Sequence, residues 1–546
     1  MAGSVVGPCF PSQKPTMHDS PAVSPSLTLT SSRVTVLVIS VLLAAGAIYA
    51  GRALLLDLEG LRFSTQLPYA LLGLALLVAL GFEFVNGFHD TANAVATVIY
   101  THSLPPHVAV VWSGLWNFVG VLVSSGAVAF GIIALLPVEL ILQVGSAAGF
   151  AMVFALLLAA ILWNLGTWYL GLPASSSHTL IGSIIGVGLV NELMQSGSAT
   201  SGVDWGQASK IGYSLLFSPL IGFTCAALVL LLMKGLTKNP TLFRAPEGRQ
   251  PPPRWIRGLL ILTCTGVSFA HGSNDGQKGM GLIMLILIGT VPMAYALNLA
   301  VPVAEVQSFL AVSEQATNVL AHQEQGIRLS AREEPQAVVT RYIRSGQLDP
   351  DTVSSLGTLV QQIATNVAQY GTYGNVPNEM RGNIRNDMYL TSETLRRMEK
   401  VKTPAFTAED GQILKAYRTA LDRATKFIPT WVKIAVAIAL GLGTMVGWKR
   451  IVVTVGERIG KAHLTYGQGG AAELVAMSTI GAADLFGLPV STTQVLSSGV
   501  AGTMAANRSG LQWATVRNIF TAWILTLPMS IILAGGLFWL LRHLSA

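Results

Sequence analysis

The sequence predicts an all-α, polytopic membrane protein built from two repeated units, with one polar helical domain inserted into the second unit. Three observations support this fold class. Hydrophobic residues make up 51% of the chain and charged residues only 11%, whereas an average soluble protein is about 25% charged. Apolar runs of the roughly 20 residues needed to cross a bilayer recur along the chain. Two short polar motifs also occur twice within these apolar surroundings.

The duplicated motifs place the two halves in register. The first motif, Gly87-Phe88-His89-Asp90, recurs 185 residues later as Gly272-Ser273-Asn274-Asp275. The second, Gly171-Leu172-Pro173-Ala174-Ser175-Ser176-Ser177, recurs 316 residues later as Gly487-Leu488-Pro489-Val490-Ser491-Thr492-Thr493. The offsets differ by 131 residues, which predicts an insertion of that size in the second half. The polar block 301–430 fits it, because residues 301–427 hold 28 of the 61 charged residues.

The apolar runs and the repeats together predict the organisation of the chain. In order, we expect a disordered N-terminal tail (1–33), an accessory transmembrane helix (34–56), membrane repeat 1 (67–235), a basic cytoplasmic loop (236–255), the first part of membrane repeat 2 (256–300), an inserted polar helical domain (301–430) and the second part of repeat 2 (431–541). Short loops rich in Lys and Arg mark cytoplasmic ends, so one further crossing places the insert on the opposite side. These loops orient the chain in the lipid bilayer and do not indicate nucleic acid as a partner. The three cysteines offer no disulfide framework.

Interruptions in the apolar runs predict where a binding site lies. The run 67–86 breaks at Gly87 and resumes near 91, and the run 256–270 breaks at His271-Gly272 and resumes near 276, so each predicts a discontinuous helix. The segments that start at Pro173 and Pro489 predict re-entrant hairpins. Unpaired backbone groups cost several kcal/mol each in hydrocarbon, so such breaks must line a cavity. Matched interruptions in two halves indicate a transporter site near the midplane of the bilayer.

The second motif predicts an anion site. Its hydroxyl residues are Ser175, Ser176 and Ser177 in the first copy and Ser491, Thr492 and Thr493 in the second. Both sets follow a proline that favours a helix start. Free backbone N–H groups, hydroxyls and the positive end of the helix dipole bind oxyanions, and phosphate fits such a site. Asn93 and Gln277 are further candidate phosphate ligands. Small hydroxyl residues also allow close helix packing in membranes, but two symmetric copies weaken that alternative.

The first motif adds carboxylates. Asp90 and Asn93 are three residues apart and share a helix face, as do Asp275 and Lys278. Each Asp also suits a helix N-cap. Two carboxylates would repel a bare oxyanion, so cations or protons must enter with it. A divalent cation that bridges carboxylate and phosphate gives a neutral MHPO4 complex, which avoids most of the desolvation penalty. The candidate cation ligands are Asp90, Asp275, Asn93 and Asn274.

Lys278 and several titratable residues predict the coupling ion. The Lys278 ammonium stands where the other copy has Asn93, and it can replace a bound alkali cation, which favours proton coupling over sodium coupling. His89, His178 and His271 are candidate proton carriers because imidazole titrates near neutrality. Glu83, an acid in an apolar run, is a further candidate. Each histidine also fits a purely structural, hydrogen-bonded role.

Taken together, the segments Gly87 to Ala94 and His271 to Gly279 and the two Gly-Leu-Pro-x-Ser-[ST]-[ST] segments resemble the inorganic phosphate transporter (PiT) family, from about residue 67 to 541 outside the insert. The Gly276-Gln277-Lys278-Gly279 variant is similar to the bacterial low-affinity Pit branch. The resemblance implies two inverted repeats in the inner membrane and symport of metal-phosphate complexes with protons, with arsenate as a mistaken substrate. Mg²⁺ or Ca²⁺ would be a co-substrate rather than a tightly bound cofactor. By this resemblance, the phosphate and cation ligands of the family correspond to Asp90, Asn93, Ser175, Ser176, Ser177, Asp275, Ser491, Thr492 and Thr493. A homo-oligomer is compatible with the sequence.

Alternative functions remain open from the sequence. One is a sodium-coupled phosphate carrier or a sulfate carrier on the same scaffold, although the second Ala-Asn of the sodium-coupled pattern is replaced at Gln277-Lys278. A remote one is an intramembrane hydrolase that uses Ser176, His178 and an Asp. Residues two apart do not share a helix face, and Gln494 replaces His178 in the second copy. A receptor with the insert as sensor would leave the repeated polar sites without purpose. We therefore expect a transporter and not an enzyme.

Overall fold

The computed structural model describes residues 33–59, 67–90, 92–142, 144–194, 203–237, 239–246, 248, 250–323 and 333–544. Within these ranges, the side chains of residues 33–35, 68, 92, 93 and 139 are not described. Residues 1–32 of the predicted N-terminal tail lie outside the description, and residue 33 already belongs to the first helix.

The described chain is helical. Its first half contains α1 (Arg33–Asp57), α2 (Leu67–Asp90), α3 (Ala92–Tyr100), α4 (Pro106–Val123), α5 (Ala127–Ile133), α6 (Val138–Leu142), α7 (Ala147–Tyr169), α8 (Ser176–Met194) and α9 (Trp205–Leu236). The second half begins with α10 (Arg254–Thr290) and α11 (Pro292–Tyr295), continues with α12 (Val303–Gln323), α13 (Pro335–Ser345), α14 (Thr352–Tyr370), α15 (Asn378–Val401) and α16 (Ala408–Thr425), and ends with α17 (Thr430–Thr444), α18 (Lys449–Glu457), α19 (Tyr466–Leu485), α20 (Thr492–Ala506) and α21 (Trp513–Leu544). Within the described ranges there is no β-strand, and only an isolated bridge joins Gly460 to Leu511.

Several of these helices are long and apolar enough to cross a bilayer. Six such spans cover Val36–Asp57, Tyr69–Tyr100, Pro106–Val123, Ala147–Tyr169, Trp205–Leu236 and Trp513–Leu544 within the described residues. A seventh candidate is the pair α16–α17, which bends by 72° at its break. The chain is therefore a multi-pass, all-α membrane protein, in agreement with the predicted fold class.

The two copies of the first motif lie within α2 and α10. In the first copy, α2 remains helical from Gly87 to Asp90, so the break predicted at Gly87 does not occur there, and residue 91 lies outside the described residues. The break predicted in the second copy is wrong, because α10 runs without interruption from Arg254 to Thr290. A continuous helix keeps its backbone hydrogen bonds in hydrocarbon, and Gly272 instead allows close packing, since a Cβ there would lie 2.7 Å from Asn117 Cα on α4. Asp275, in the middle of α10, is therefore not an N-cap.

The second motif forms two helical hairpins, α7–α8 and α19–α20. Gly171 and Gly487 follow the ends of α7 and α19 with φ of 68° and 64°. This left-handed conformation is common directly after a helix and favours glycine. The Leu-Pro segment then leads the chain into α8 and α20, whose N-termini lie inside the protein. The shared Gly-Leu-Pro sequence thus specifies the turn of each hairpin.

The two halves pack on each other reciprocally. α4 packs on α10 and its counterpart α17 packs on α2. α8 packs on α21 of the other half, and α20 packs on α9. In the same way α7 packs on α2 and α19 on α10. Such paired contacts are expected for a duplicated unit, while the inverted orientation of the halves stays a prediction.

The predicted insert, 301–430, contains α12 to α16, which pack on one another. Phe309 and Tyr417 stack in its interior with ring centroids 5.7 Å apart. Arg396 on α15 lies 3.0 Å from Asp204, directly before α9, and Arg381 donates a 2.7 Å hydrogen bond to the carbonyl of Met293, just after α10. The insert therefore contacts the start of α9 and the end of α10, whereas residues 237–253 connect their opposite ends. Its domain boundaries remain a prediction.

Candidate functional site

The tips of both hairpins meet the end of α2 at one carboxylate. Ser176 Oγ, at the start of α8, donates a hydrogen bond to Asp90 Oδ2. Thr493 Oγ1, in the first turn of α20, donates a 2.8 Å hydrogen bond to Asp90 Oδ1. His89 Nδ1 also lies 2.8 Å from Asp90 Oδ1. All four residues are buried, so the structure brings hydroxyls from both repeats to one acid inside the protein.

The second carboxylate is joined to the first through a lysine. Lys278 Nζ lies 2.8 Å from Asp275 Oδ2, one turn earlier on α10. The same ammonium donates a 3.0 Å hydrogen bond to Ser176 Oγ. Because Ser176 also donates to Asp90, a continuous polar chain runs from Asp275 to Asp90. The side chains of Asp275 and Lys278 are both 0% exposed, so this ion pair is fully shielded from water.

His271 completes a set of three residues that could hold a metal ion. Its Nδ1 lies 2.8 Å from Asn117 Oδ1, and Asn117 Nδ2 donates to Thr444 Oγ1 over 3.3 Å. Because the Asn117 amide nitrogen is directed at Thr444, the Asn117 amide oxygen faces the imidazole of His271. An amide oxygen can only accept, so His271 Nδ1 carries the proton and donates it. Nε2 lies 3.2 Å from Asp275 Oδ2, outside hydrogen-bond geometry. A neutral imidazole in this tautomer therefore presents a lone pair beside the carboxylate, an arrangement that a cation would stabilise.

Ligand atoms of Asp90, His271 and Asp275 all lie within 4.8 Å of one another. Carboxylate oxygens suit hard cations such as Mg²⁺ and Ca²⁺, and an imidazole nitrogen extends the range to first-row transition metals. Asp90 and Asp275 are two of the cation ligands predicted from the sequence. His271 was predicted only as a proton carrier, and the structure places it where it could also ligate. Its spacing of four residues from Asp275 puts both on one helix face, a signal already present in the sequence.

The remaining hydroxyls of the second motif have three different roles. Ser175 Oγ accepts a 3.2 Å hydrogen bond from His178 N, and Ser491 Oγ accepts one of the same length from Gln494 N, so both cap their helices. His178 Nδ1 lies 2.8 Å from the same Ser175 hydroxyl, which gives this histidine a local structural contact.

The other two hydroxyls of the motif are those of Ser177 and Thr492. Ser177 Oγ donates a 2.8 Å hydrogen bond to the carbonyl of Val490 and so joins the two tips directly. Thr492 Oγ1 is buried and has no hydrogen-bond partner among the residues that the structure describes. It is therefore the hydroxyl most readily available to an incoming oxyanion.

Other predicted site residues make their contacts next to this cluster. Gln277 donates from Nε2 to Asp484 Oδ1 over 2.6 Å and accepts at Oε1 from Val128 N over 2.9 Å. Its amide is thus directed at α19 and α5 and is already engaged, so the structure gives no support to its predicted phosphate contact. Asn274 Nδ2 donates a 3.0 Å hydrogen bond to the carbonyl of Leu488 in the tip of the second hairpin. The side chain of Asn93 lies outside the described residues.

The predicted proton carriers line the cluster at different distances. His89 Nε2 lies 3.1 Å from Thr167 Oγ1 on α7, so this histidine connects Asp90 to the first hairpin. Glu83 is fully buried and packs on Gly279, the residue after Lys278. Its Oε2 accepts a 3.4 Å hydrogen bond from Asn86. Thr167 and Asn117 were not predicted from the sequence, where a lone polar residue in an apolar helix was their only signal.

Both hairpin tips are held by the last helix of the opposite half. Trp523 Nε1 on α21 donates a 2.8 Å hydrogen bond to the carbonyl of Pro173, and Ser214 Oγ on α9 donates a 3.0 Å hydrogen bond to the carbonyl of Pro489. The first hairpin has one further contact, because Arg450 donates a 2.8 Å hydrogen bond to the carbonyl of Tyr169 at the end of α7. These contacts join each hairpin to the opposite half of the protein.

Comparisons of the sequence with known proteins identify its family. Residues 86–534 match the model of the Phosphate transporter family. The low-affinity inorganic phosphate transporter PitA of Escherichia coli (strain K12) is 42% identical over 490 residues, which cover 86% of this chain and 97% of that protein. PitB of the same strain is 42% identical over 491 residues, again with 86% and 97% coverage. A solved structure titled "The sodium-dependent phosphate transporter" aligns with 87% of this chain and 99% of its own, at 18% identity and a TM-score of 0.47. The chain therefore belongs to the phosphate transporter family.

Proposed function

We propose that this protein is a low-affinity secondary transporter of the inner membrane that takes up inorganic phosphate as a neutral complex with a divalent metal, in symport with protons. One observation carries the proposal: hydroxyls from both re-entrant helices converge on the buried carboxylate of Asp90, beside Asp275, His271 and Lys278. The names of the relatives, low-affinity inorganic phosphate transporters, support the substrate.

The charges of the cluster support a metal as part of the substrate. Ionised Asp90 and Asp275 against the Lys278 ammonium leave a net negative charge in a site shielded from water. A bare phosphate dianion would add to that charge, and a buried uncompensated charge is costly. A divalent cation held by Asp90, Asp275 and His271 neutralises the phosphate. Mg²⁺ and Ca²⁺ suit the two carboxylates.

The helix N-termini support binding of the oxyanion itself. α8 and α20 both begin at the cluster, so the positive ends of their dipoles and their free N–H groups face the same space. Ser176 and Thr493 already hydrogen-bond to Asp90, and the unpartnered Thr492 hydroxyl can donate to a phosphate oxygen. Arsenate has the same charge and shape and should follow phosphate through this site.

Lys278 supports protons as the coupling ion. Its ammonium occupies the position on α10 that corresponds to Asn93 in the first copy, and it already pairs with Asp275. A sodium ion at Asp275 would have to compete with this covalently attached cation. His89, His271 and Glu83 lie in or beside the cluster and are the candidates to carry the proton, with His178 at its edge.

The hairpins supply alternating access. The Ser177–Val490 hydrogen bond joins the two tips across the site, and it must break when either hairpin withdraws. Each tip is held by the last helix of the other half, so movement of one hairpin changes the packing of both halves. We infer that the two hairpins open in turn, with Asp90 as their common anchor.

The experiment that tests this function is uptake of labelled phosphate by purified protein in liposomes, with divalent metal and pH gradient varied independently. We expect uptake to require Mg²⁺ or Ca²⁺, to slow when the proton gradient is collapsed and to be inhibited by arsenate. Uptake that is unchanged without divalent metal would refute the metal-phosphate substrate. Uptake driven by sodium instead of protons would identify the sodium-coupled alternative, and stronger inhibition by sulfate than by arsenate would identify a sulfate carrier.

The site assignment is tested by Asp90→Asn. This variant keeps the shape of the side chain but removes its charge, so we expect the protein to insert and fold while uptake is lost. Asp387→Asn, a substitution of a half-buried acid in the insert, is the matched control and should transport normally. Normal uptake by Asp90→Asn would remove the central ligand from the proposal.

A further inference from the structure

A groove on the membrane-facing surface lies between α9, α20 and α21. It encloses a cavity of about 940 Å³. Leu216 on α9, Ala501 on α20 and Phe520 on α21 contribute to its walls, which are almost entirely apolar. The floor is formed by α20, the helix whose first turn carries Thr492 and Thr493. A molecule in the groove would therefore touch the outer side of a helix that builds the transport site.

The groove contains a single charge. Arg517 is the one charged residue among those that line it, and it forms no ion pair or hydrogen bond with any residue that the structure describes. Trp513 stands beside it at the start of α21 and is 71% exposed. Tryptophan and arginine at a helix end are typical of the membrane–water interface. An anion would complement this end of the groove.

The loops that close the groove at this end are also basic. Lys461 pairs through its backbone N–H with the carbonyl of Gly510, next to Leu511, which lines the groove. Arg458 and Arg508 lie in the same two loops. This is the end of the protein that the basic loops assign to the cytoplasm, where anionic lipids attract clustered Lys and Arg. The charges thus favour an anionic ligand over a zwitterionic one, whose ammonium would find no acidic partner among the lining residues.

A polar group lies deeper in the groove. Ser497 on α20 lines the cavity, and its hydroxyl is buried without a hydrogen-bond partner among the described residues. Arg517 is four residues into α21 and Ser497 is nine residues from the end of α20. At about 1.5 Å per residue along the helix axis, Ser497 lies roughly 14 Å from the end of α20 and Arg517 roughly 6 Å from the start of α21. A phosphodiester at Arg517 would place an ester carbonyl towards Ser497 and an acyl chain against the apolar walls.

We propose that this groove is a binding site for an anionic phospholipid, which holds α20 in place and thereby supports transport. The phosphodiester binds Arg517, one acyl chain fills the space between α9 and α21, and the lipid packs on the floor formed by α20. The effect on transport rests on the proposed function, whereas the binding itself does not. A second protein copy is the main competing occupant of such a face.

Native mass spectrometry of the delipidated full-length protein tests the binding, with phosphatidylglycerol and phosphatidylcholine as probes. We expect phosphatidylglycerol to be retained and phosphatidylcholine to be lost. Arg517→Gln should weaken phosphatidylglycerol binding roughly fivefold, the effect expected for one basic residue at a membrane surface, and Arg517→Lys should preserve most of it. Lys210→Gln removes an exposed cation near the start of α9, at the opposite end of the protein, and should leave binding unchanged.

A second variant tests the apolar space of the groove separately from the charge of Arg517. Ala501→Phe fills the groove and keeps Arg517, so it should also reduce phosphatidylglycerol binding. Equal binding of both lipids by the unmodified protein, or full binding by Arg517→Gln, would overturn the proposal. Disulfide cross-linking of two copies of a Leu220→Cys variant, whose substituted residue lines the groove, would show a second copy there and would overturn it as well.

Uptake in liposomes then tests the consequence for transport. Phosphate uptake should be faster when phosphatidylglycerol is added to phosphatidylcholine, and Arg517→Gln should lose that increase. An equal increase in the variant would overturn the link to transport. If the protein takes up no phosphate in any lipid, the proposed function fails, while mass spectrometry still decides the lipid site.

Discussion

The buried ion pair of Asp275 and Lys278 gives a sharp test of the site. Asp275→Asn leaves the Lys278 ammonium with its hydrogen bond to Ser176 and without its carboxylate at 2.8 Å. Both side chains are 0% exposed, so water cannot replace the lost partner. Removing one member of a buried pair costs about 3–5 kcal/mol. We expect the free energy of unfolding to fall by that amount.

Removing both charges should restore much of the stability. Asp275→Asn combined with Lys278→Met leaves no unpaired ion, and replacing both members of a buried pair is often close to neutral. Lys278→Met alone should cost a similar amount, because it leaves the buried Asp275 carboxylate without its ammonium partner. The double variant should nevertheless transport poorly, since it lacks a proposed cation ligand.

The assay is unfolding in mixed micelles by titration with dodecyl sulfate, with uptake measured in parallel. Arg341→Gln is the matched control, because Arg341 pairs with Asp349 at 3.2 Å while both side chains are nearly half exposed. A pair of that kind is worth about 1 kcal/mol or less. A loss below about 1 kcal/mol for Asp275→Asn, or a double variant no more stable than Asp275→Asn, would refute the reasoning.

Three further predictions follow from particular contacts. His271→Gln should raise the divalent-metal concentration for half-maximal uptake by about 10- to 100-fold, and an unchanged value, as expected for the control His322→Gln in the insert, would argue against metal ligation. Gly120→Ala should destabilise the protein by about 1–3 kcal/mol through overpacking, because a Cβ there would lie 2.8 Å from Ser273 N on α10. Gly166→Ala, where a Cβ would meet open space, should cause no loss in the same unfolding assay. Burial raises the pKa of Asp204, but the hydrogen bond from Gln207 N and the charges of Arg397 and Arg396 outweigh it and hold the pKa below its usual range. The stabilisation that a lowered pKa provides is complete at pH values above the ordinary Asp pKa of about 4. It is lost as the pH falls through the lowered pKa of the folded protein. The protection factors of the α15 amides, which are corrected for the intrinsic pH dependence of exchange, should therefore stay constant from about pH 8 to about pH 5, and a loss of protection within that window would contradict the assignment.

The sequence was most informative where a residue type fixes the backbone. The segments that start at Pro173 and Pro489 predicted both hairpins, because proline favours the first turn of a helix. Gly87 lies inside α2, and residue 91, where the helix was expected to resume, lies outside the described residues. The break in the second copy was wrong, because polar residues inside an apolar run look the same in the sequence whether they interrupt a helix or occupy one of its faces. α10 carries His271, Asp275 and Lys278 on a single face and stays intact.

Contacts between distant segments were beyond sequence reasoning. Nothing in the apolar helix α4 shows that Asn117 orients His271, and nothing in the second motif shows that Ser176 and Thr493 share one acceptor. Such pairings depend on how the helices cross, which local residue preferences do not determine. The spacing of His271 and Asp275 was visible, but only the fold brings Asp90 within 4.8 Å of them.

The duplicated halves are not equivalent at their centre. Asp90 accepts hydrogen bonds from hydroxyls of both hairpins, whereas Asp275 on α10 is paired with the fixed ammonium of Lys278. Withdrawal of either hairpin would remove a hydrogen bond from Asp90, but only withdrawal of the first would also remove the Ser176 partner of Lys278. Influx and efflux should then differ in Km and maximal rate, although the gradients alone set the final distribution of substrate. A directional preference of this kind follows from the amino-acid sequence itself and would persist in a membrane without any voltage.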